Sequence, residues 1–223
     1  MGHPRHPTEA RPSFGVLAAA VRARPSNHFG YRRQYRLCGS VVRSQVSRGR
    51  LHSFEPDPTS FELVEINTKP WENIIAHNVG LGDRDDVMSL GLTEDSINHG
   101  GRTLLRDRHR DEGGVRVLIR DASDYLLNLG VSSADIVKID TDGFEFPIFK
   151  SLAGIVTGAA WVLGELHDSQ DFSALALLEA THSVGLVKGL GQRFCPFFAF
   201  RRDLLESLPE SDRRLVLSRF STK

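Results

Sequence analysis

"DIVKIDTDGFEF", residues 135–146, is the stretch on which the reading turns. An apolar run of Ile136, Val137 and Ile139 stops at Asp140, two more acids (Asp142 and Glu145) flank Gly143, and "EFPIFKSL" then carries an apolar face at helical spacing. That order reads as a buried strand, a tight turn and a helix. Acids beside an Asp-Gly pair have an ordinary explanation, since sharp turns and helix starts favour those residues. Their place gives them a second use, because ligands of open α/β sheets bind at the carboxyl ends of the strands.

Working outward, strands and helices alternate from Arg50 onward. "RLHSFE" reads as a strand and "PDPTSFELVEIN" as a helix, with Asp57 as N-cap, Pro58 at the first helical position, and Phe61 and Leu63/Val64 facing the core. "ENIIAHNVGL" reads as one strand, "DDVMSLGL" as part of a β excursion, and "NHGGRTLLRDRHRDEGG" as a polar loop between glycine pairs. "VRVLIRDASDYLLNLG" gives a strand and a short helix closed by Gly130. Beyond the opening stretch come a strand "AAWVLGELH", a helix "SALALLEATHSVG" and a closing strand "RFCPFFAFRRDL", with Pro196 at an edge or strand start. This alternation predicts an α/β fold, a mostly parallel sheet with helices on both faces and right-handed crossovers. Its neighbouring strands then end at Glu55, Asn78, Asp140 and Glu165, gathering Glu55, Asp140, Glu165 and His167 on one edge.

Composition sets the outer bounds. The 223 residues, 40% hydrophobic and 25% charged, suit one globular domain, and Lys plus Arg balances Asp plus Glu at 28 each. Overall charge therefore offers no case for nucleic acid or a membrane surface as the main partner. The balance hides an asymmetry: residues 1–50 hold ten Arg, no Lys, no Asp and a single acid, Glu9. An Arg-rich, acid-poor start is compatible with a nucleic-acid arm, an organelle-targeting segment or a poorly structured leader; the last is the expectation, because only "FGVLAAAV" is apolar enough to pack. The expected division is an atypical leader over residues 1–48, with its first forty residues holding at most one helix and one strand, and a domain over 49–223. Cys38 and Cys195 stand in no metal-like or redox-like spacing, which points to reduced thiols and a cytoplasmic setting.

Four motifs in order, "GRLHSFEPDPTSFELVEIN", "GLGD" at residues 80–83, "NHGGRTL" and "ADIVKIDTDGFEFPIFKSL", resemble the FkbM-type S-adenosylmethionine-dependent methyltransferases over about residues 49–205. The resemblance implies a Rossmann-like class I methyltransferase fold, a seven-stranded sheet with a reversed last hairpin and an atypical N-terminal part. It implies S-adenosylmethionine as cofactor and methyl transfer to a hydroxyl of a small molecule or sugar. On it, Glu55 holds the ribose, Asp83 lies near the adenine, and Asp140 opens the family's Asp-x-(Glu/Asp)-Gly-x-Glu signature beside the transferable methyl, with Asp142 where Glu is frequent. The family's Gly-Ala-Asn loop falls at "ARPSNHFGY", where Asn27 and Gly30 correspond, while Arg24 and Pro25 stand where small, flexible residues belong.

Methyl transfer from a sulfonium needs alignment of the acceptor and removal of its proton. Asp140 and His167 are the candidate bases, with Glu165 and Glu145 behind them. A structural role at a strand end is the competing reading of His167. Asp140, Glu165 and His167 also offer the hard donors that a divalent ion such as Mg²⁺ accepts. The alternative function, suggested by the altered glycine loop, is a catalytically silent methyltransferase-like domain with a binding or assembly role. A nicotinamide dehydrogenase is disfavoured because no G-x-G-x-x-G follows any predicted strand. The acceptor and the oligomeric state are not written in the sequence.

Overall fold

The computed structural model describes residues 15–19, 49–92, 102–104, 114–141, 143–166, 169–186 and 195–220. In chain order the elements are β1 (Gly15–Ala19), β2 (Arg50–Phe54), α1 (Pro58–Thr68), β3 (Ile74–His77), β4 (Gly80–Gly82), β5 (Asp86–Leu92), β6 (Arg102–Leu104), β7 (Val115–Asp121), α2 (Ala122–Asn128), β8 (Ile136–Ile139), α3 (Glu145–Ser151), α4 (Ala153–Gly158), β9 (Trp161–Leu166), α5 (Ser169–Glu179), β10 (His182–Leu186), β11 (Cys195–Arg201), α6 (Arg202–Ser207) and α7 (Glu210–Phe220).

Seven strands form the main sheet in the order β3-β2-β1-β8-β9-β11-β10. All its pairings are parallel except those of β11, which runs antiparallel to both β9 and β10. The apolar run predicted inside the leader supplies β1, an interior strand between β2 and β8. Ala19, its last residue, pairs with Phe54 on one side and Ile139 on the other, so Glu55 and Asp140 follow at the same level. Strands β8 and β9 are near-continuously apolar, as strands covered on both faces must be. Val137, Ile139, Val162 and Leu166 are buried against Ile148 and Phe149 of α3 and Leu175 and Leu178 of α5.

Five expectations need correction. The stretch read as one strand across residues 72–81 is divided: β3 joins the main sheet, and after Asn78 and Val79 the chain enters β4 in a second, four-stranded sheet ordered β4-β7-β5-β6. Strand β7, expected in the parallel sheet, lies in that second sheet and runs antiparallel to β5. Its burial alternates, with Val117 and Ile119 buried and Arg116 and Leu118 exposed, the signature of a strand with one covered face. The polar loop contains β6, paired with β5; its other residues, apart from Gly114, lie outside the described residues. In α1, Val64 is buried but Leu63 is 48% exposed, because adjacent helical residues point about 100° apart and Ser60 and Val64 already define the covered face. Finally, "THSVG" does not continue α5: the helix stops at Glu179, and His182–Leu186 forms β10. Pro196 is the second residue of β11, a strand start within an interior strand, where its missing N–H is least disruptive. Among the described residues no helix is long and apolar enough to cross a membrane.

Candidate active site

Local chemistry builds the exit from β2. Asp57 accepts from Thr59 N at 3.2 Å and from the Ser60 hydroxyl at 3.2 Å, starting α1 as a side-chain N-cap with Pro58 in its first turn. The backbone turn this imposes sends the Asp57 amide back to Glu55, whose Oε1 accepts it at 2.9 Å. Asn78 Nδ2 donates to the carbonyls of Glu55 at 2.9 Å and Pro56 at 3.3 Å, tying the exit of β2 to that of β3. Glu55 is only 2% exposed, and its Oε2 is buried with no hydrogen-bond partner among the described residues. Burial pushes its carboxyl up to about 8, with the hydrogen bond from the Asp57 amide pulling the other way.

The exit from β8 is built by the opening motif. Lys138 Nζ donates to Asp140 Oδ2 at 2.9 Å, and Asp140 Oδ1 is buried with no partner among the described residues. Glu145 is fully buried; its Oε1 accepts from Thr141 N at 2.7 Å and its Oε2 from Gly143 N at 2.8 Å. Phe144 N donates to Thr141 Oγ1 at 3.2 Å. Gly143 has φ +104°, a conformation that favours glycine and explains that residue in the turn.

Glu55 and Asp140 therefore stand on either side of the end of β1, two strand spacings apart, roughly 9.5 Å. Glu165 belongs to the same edge. It lies inside β9 one residue past the pairing Ile139–Gly164, level with Asp140, and opposite Pro196 of β11. Asp83 is placed differently from the expectation: it follows β4 of the second sheet, exposed and 3.8 Å from Arg84. Strand β4 nonetheless reaches the site's rim, since a Cβ on Gly80 would sit 3.4 Å from Pro56 and one on Gly82 would sit 3.0 Å from Phe144. His167, Asn27, Gly30 and Asp142 lie outside the described residues. Glu145, a candidate base, is instead committed through both oxygens to backbone amides. Among the described residues no three His, Cys, Asp or Glu side chains converge to hold a metal ion, so the hard-donor reading of Asp140, Glu165 and His167 gains no support there. Two contributors escaped sequence reasoning. Asn78 gave no signal beyond a strand end, whereas Lys138, a lone cation within an apolar strand, was one that could have been read.

The model of the methyltransferase FkbM domain matches residues 27–209, more than four-fifths of the chain. The chain belongs to the FkbM methyltransferase family. The match begins at Asn27, one of the two residues assigned to the family's cofactor loop. Among solved structures, the chain is similar to methyltransferase FkbM from Methylobacillus flagellatus KT, at 14% identity and a TM-score of 0.53 over 84% of this chain and 43% of that one. It thus shares that protein's fold and spans less than half its length. Two weaker matches are human methyltransferase-like protein 13 in complex with SAH (12% identity, 92% and 78% of the two chains, TM-score 0.45) and Aeropyrum pernix fibrillarin with natively bound S-adenosyl-L-methionine (10%, 84% and 66%, 0.44). No curated protein matches.

Proposed function

We propose that this FkbM family member is an S-adenosylmethionine-dependent O-methyltransferase acting on a hydroxyl of a small molecule or sugar. One observation carries the reading: two buried carboxylate oxygens, Glu55 Oε2 and Asp140 Oδ1, are left without partners among the described residues, on opposite sides of the carboxyl end of β1. A buried acceptor without a donor costs about 1–3 kcal/mol, more when charged, so a site with two of them suits a ligand that brings donors or positive charge. The proposed cofactor has both, ribose hydroxyls and a sulfonium.

When bound, S-adenosylmethionine supplies an activated methyl group on positively charged sulfur. Glu55 accepts from the ribose hydroxyls through Oε2, while Oε1 stays on the Asp57 amide. Asp83, at the end of β4, serves the adenine, and Asn27 and Gly30 serve the methionine part. Asp140 keeps Oδ2 on Lys138 and has Oδ1 free to take the acceptor hydroxyl's proton, with His167 or Glu165 as the next bases. The chain's work is alignment, exclusion of water and removal of one proton.

The test is titration calorimetry of the purified chain with S-adenosylmethionine and S-adenosylhomocysteine. Binding in the micromolar range, weakened by Glu55→Ala, is the expected result. No heat at millimolar cofactor would sink the reading.

A further inference from the structure

We infer that Glu145 is a positioning residue whose carboxylate, gripping the Thr141 and Gly143 amides, sets the place of Asp140 at the reaction centre. The inference rests on the reading of Asp140 given above and deepens it.

Glu145 is the first residue of α3 and is completely removed from solvent. Its two oxygens accept from two amides of the turn that leads from β8 into its own helix, at 2.7 and 2.8 Å. Charge-assisted bonds of that length are about twice as strong as neutral ones, and a bidentate grip fixes orientation as well as distance. Thr141 N belongs to the peptide unit that leaves Asp140, so Glu145 orients the plane from which the Asp140 side chain departs. The far end of the grip is Gly143, whose positive φ closes the turn. Lys138 holds Asp140 Oδ2 from the strand side. Asp140 thus has one oxygen anchored, its backbone clamped, and a single buried oxygen, Oδ1, without a partner among the described residues. Phe144, within the same turn, packs against both hydrophobic cores, so the clamp is seated where the two sheets meet.

A clamp and a mere packing residue predict different measurements. Asp140 beside a sulfonium makes the site prefer S-adenosylmethionine, which is charged at sulfur, over S-adenosylhomocysteine, which is not. Calorimetry with both ligands on wild type, Glu145→Gln and Asp140→Asn reads that preference without an acceptor. Glu145→Gln keeps the volume but turns one acceptor into an amide donor facing a backbone N–H. We expect it to reduce the preference roughly tenfold, as Asp140→Asn does, because a displaced or neutralised carboxylate interacts more weakly with the sulfonium. It should also speed hydrogen exchange at the Thr141 and Gly143 amides while leaving the β8 amides slow. An unchanged preference in Glu145→Gln, whether both affinities hold or both fall equally, overturns the inference. If wild type binds neither ligand, the functional reading itself has failed, and that result is distinct. Should Glu145→Gln not fold, Glu145→Asp, one methylene too short to span both amides, is measured in the same two ways. Fast exchange of the Gly143 amide in folded wild type overturns the clamp independently of any variant.

Discussion

At the scale of single residues, the protein's most consequential property is the burial of one acid. Glu55 has its carboxyl pushed up to about 8 by burial, against a value of 4.5 in an open chain. Ribose hydroxyls donate to the ionised form, so cofactor binding and loss of that proton favour one another. Cofactor affinity should therefore rise with pH toward about 8 and level off above it. In Glu55→Gln the rise disappears, which calorimetry across pH 6–9 reads directly. Glu55→Ala should weaken binding by about 1.5–3 kcal/mol, the range for hydrogen bonds to a charged group, or roughly 10- to 150-fold. Asp140→Asn differs in kind: once an acceptor is identified, it should lower turnover about 10²-fold, a larger factor than it takes from cofactor affinity. Initial rates at saturating cofactor separate the two phenotypes. Both acids were legible because each follows a strand-like run, but their sequence neighbourhoods do not tell a clamp from a base. Glu145 sits in the same acidic cluster and turns out to bind backbone amides, a distinction that only distances make.

At the scale of elements, α1 was readable because its start signal is local. Asp57 caps the helix through its side chain, and Pro58 follows in the position that suits a missing N–H. Asp57→Ala should cost about 1 kcal/mol in urea denaturation, with an unchanged denaturant slope. Its bonds to Thr59 and Ser60 are the ones removed, while the amide that serves Glu55 remains. Strand β9 presents the opposite case. Gly164 looks like an ordinary small residue within "WVLGEL", yet a Cβ there would lie 2.3 Å from the Ile139 carbonyl oxygen and 2.7 Å from Phe197. Gly164→Ala must push β8 and β9 apart one residue before Asp140, with a cost of about 1–3 kcal/mol from overpacking. A lowered urea midpoint accompanied by weaker cofactor binding is expected; full stability would contradict the close approach. Strand β10 was misread as helix because "THSVG" follows an apolar helical run without a proline. Its pairing with β11 and the bond between the fully buried His182 Nε2 and the Ala159 carbonyl, at 2.9 Å, are long-range facts.

At the scale of the whole molecule, stability in the absence of ligand is bounded by opposing titrations. His77 stacks on Phe54 at 4.7 Å, shares a 3.0 Å nitrogen–nitrogen contact with His52, and is held down to about 4 by burial and by that neighbouring ring. Burial also lowers His52 and His182. Lowered histidines bind more protons unfolded than folded, so their contribution is complete above 6.5 and is lost as pH falls toward 4. Glu55 acts in the other direction: its raised value makes the folded state the better proton binder, and stability falls as pH climbs from 4.5 to about 8. Melting temperature should therefore peak between these limbs. Glu55→Gln should flatten the alkaline limb alone and His77→Phe should soften the acid one, as calorimetric scans from pH 4 to 9 would record. The strand–helix pairs β2–α1, β8–α3 and β9–α5, the cap of α1 and the acids that follow β2 and β8 were determined by the sequence alone. Those features arise from local periodicity and turn chemistry, which a short window of residues contains in full. Tertiary structure alone decided that the apolar run at Gly15–Ala19 is an interior strand between β2 and β8, that β7 leaves the main sheet to pair with β5, and that Glu55 and Asp140 stand on either side of the end of β1. Each of these depends on which distant strand supplies the hydrogen bonds, and a backbone donor carries no local record of the acceptor it will meet.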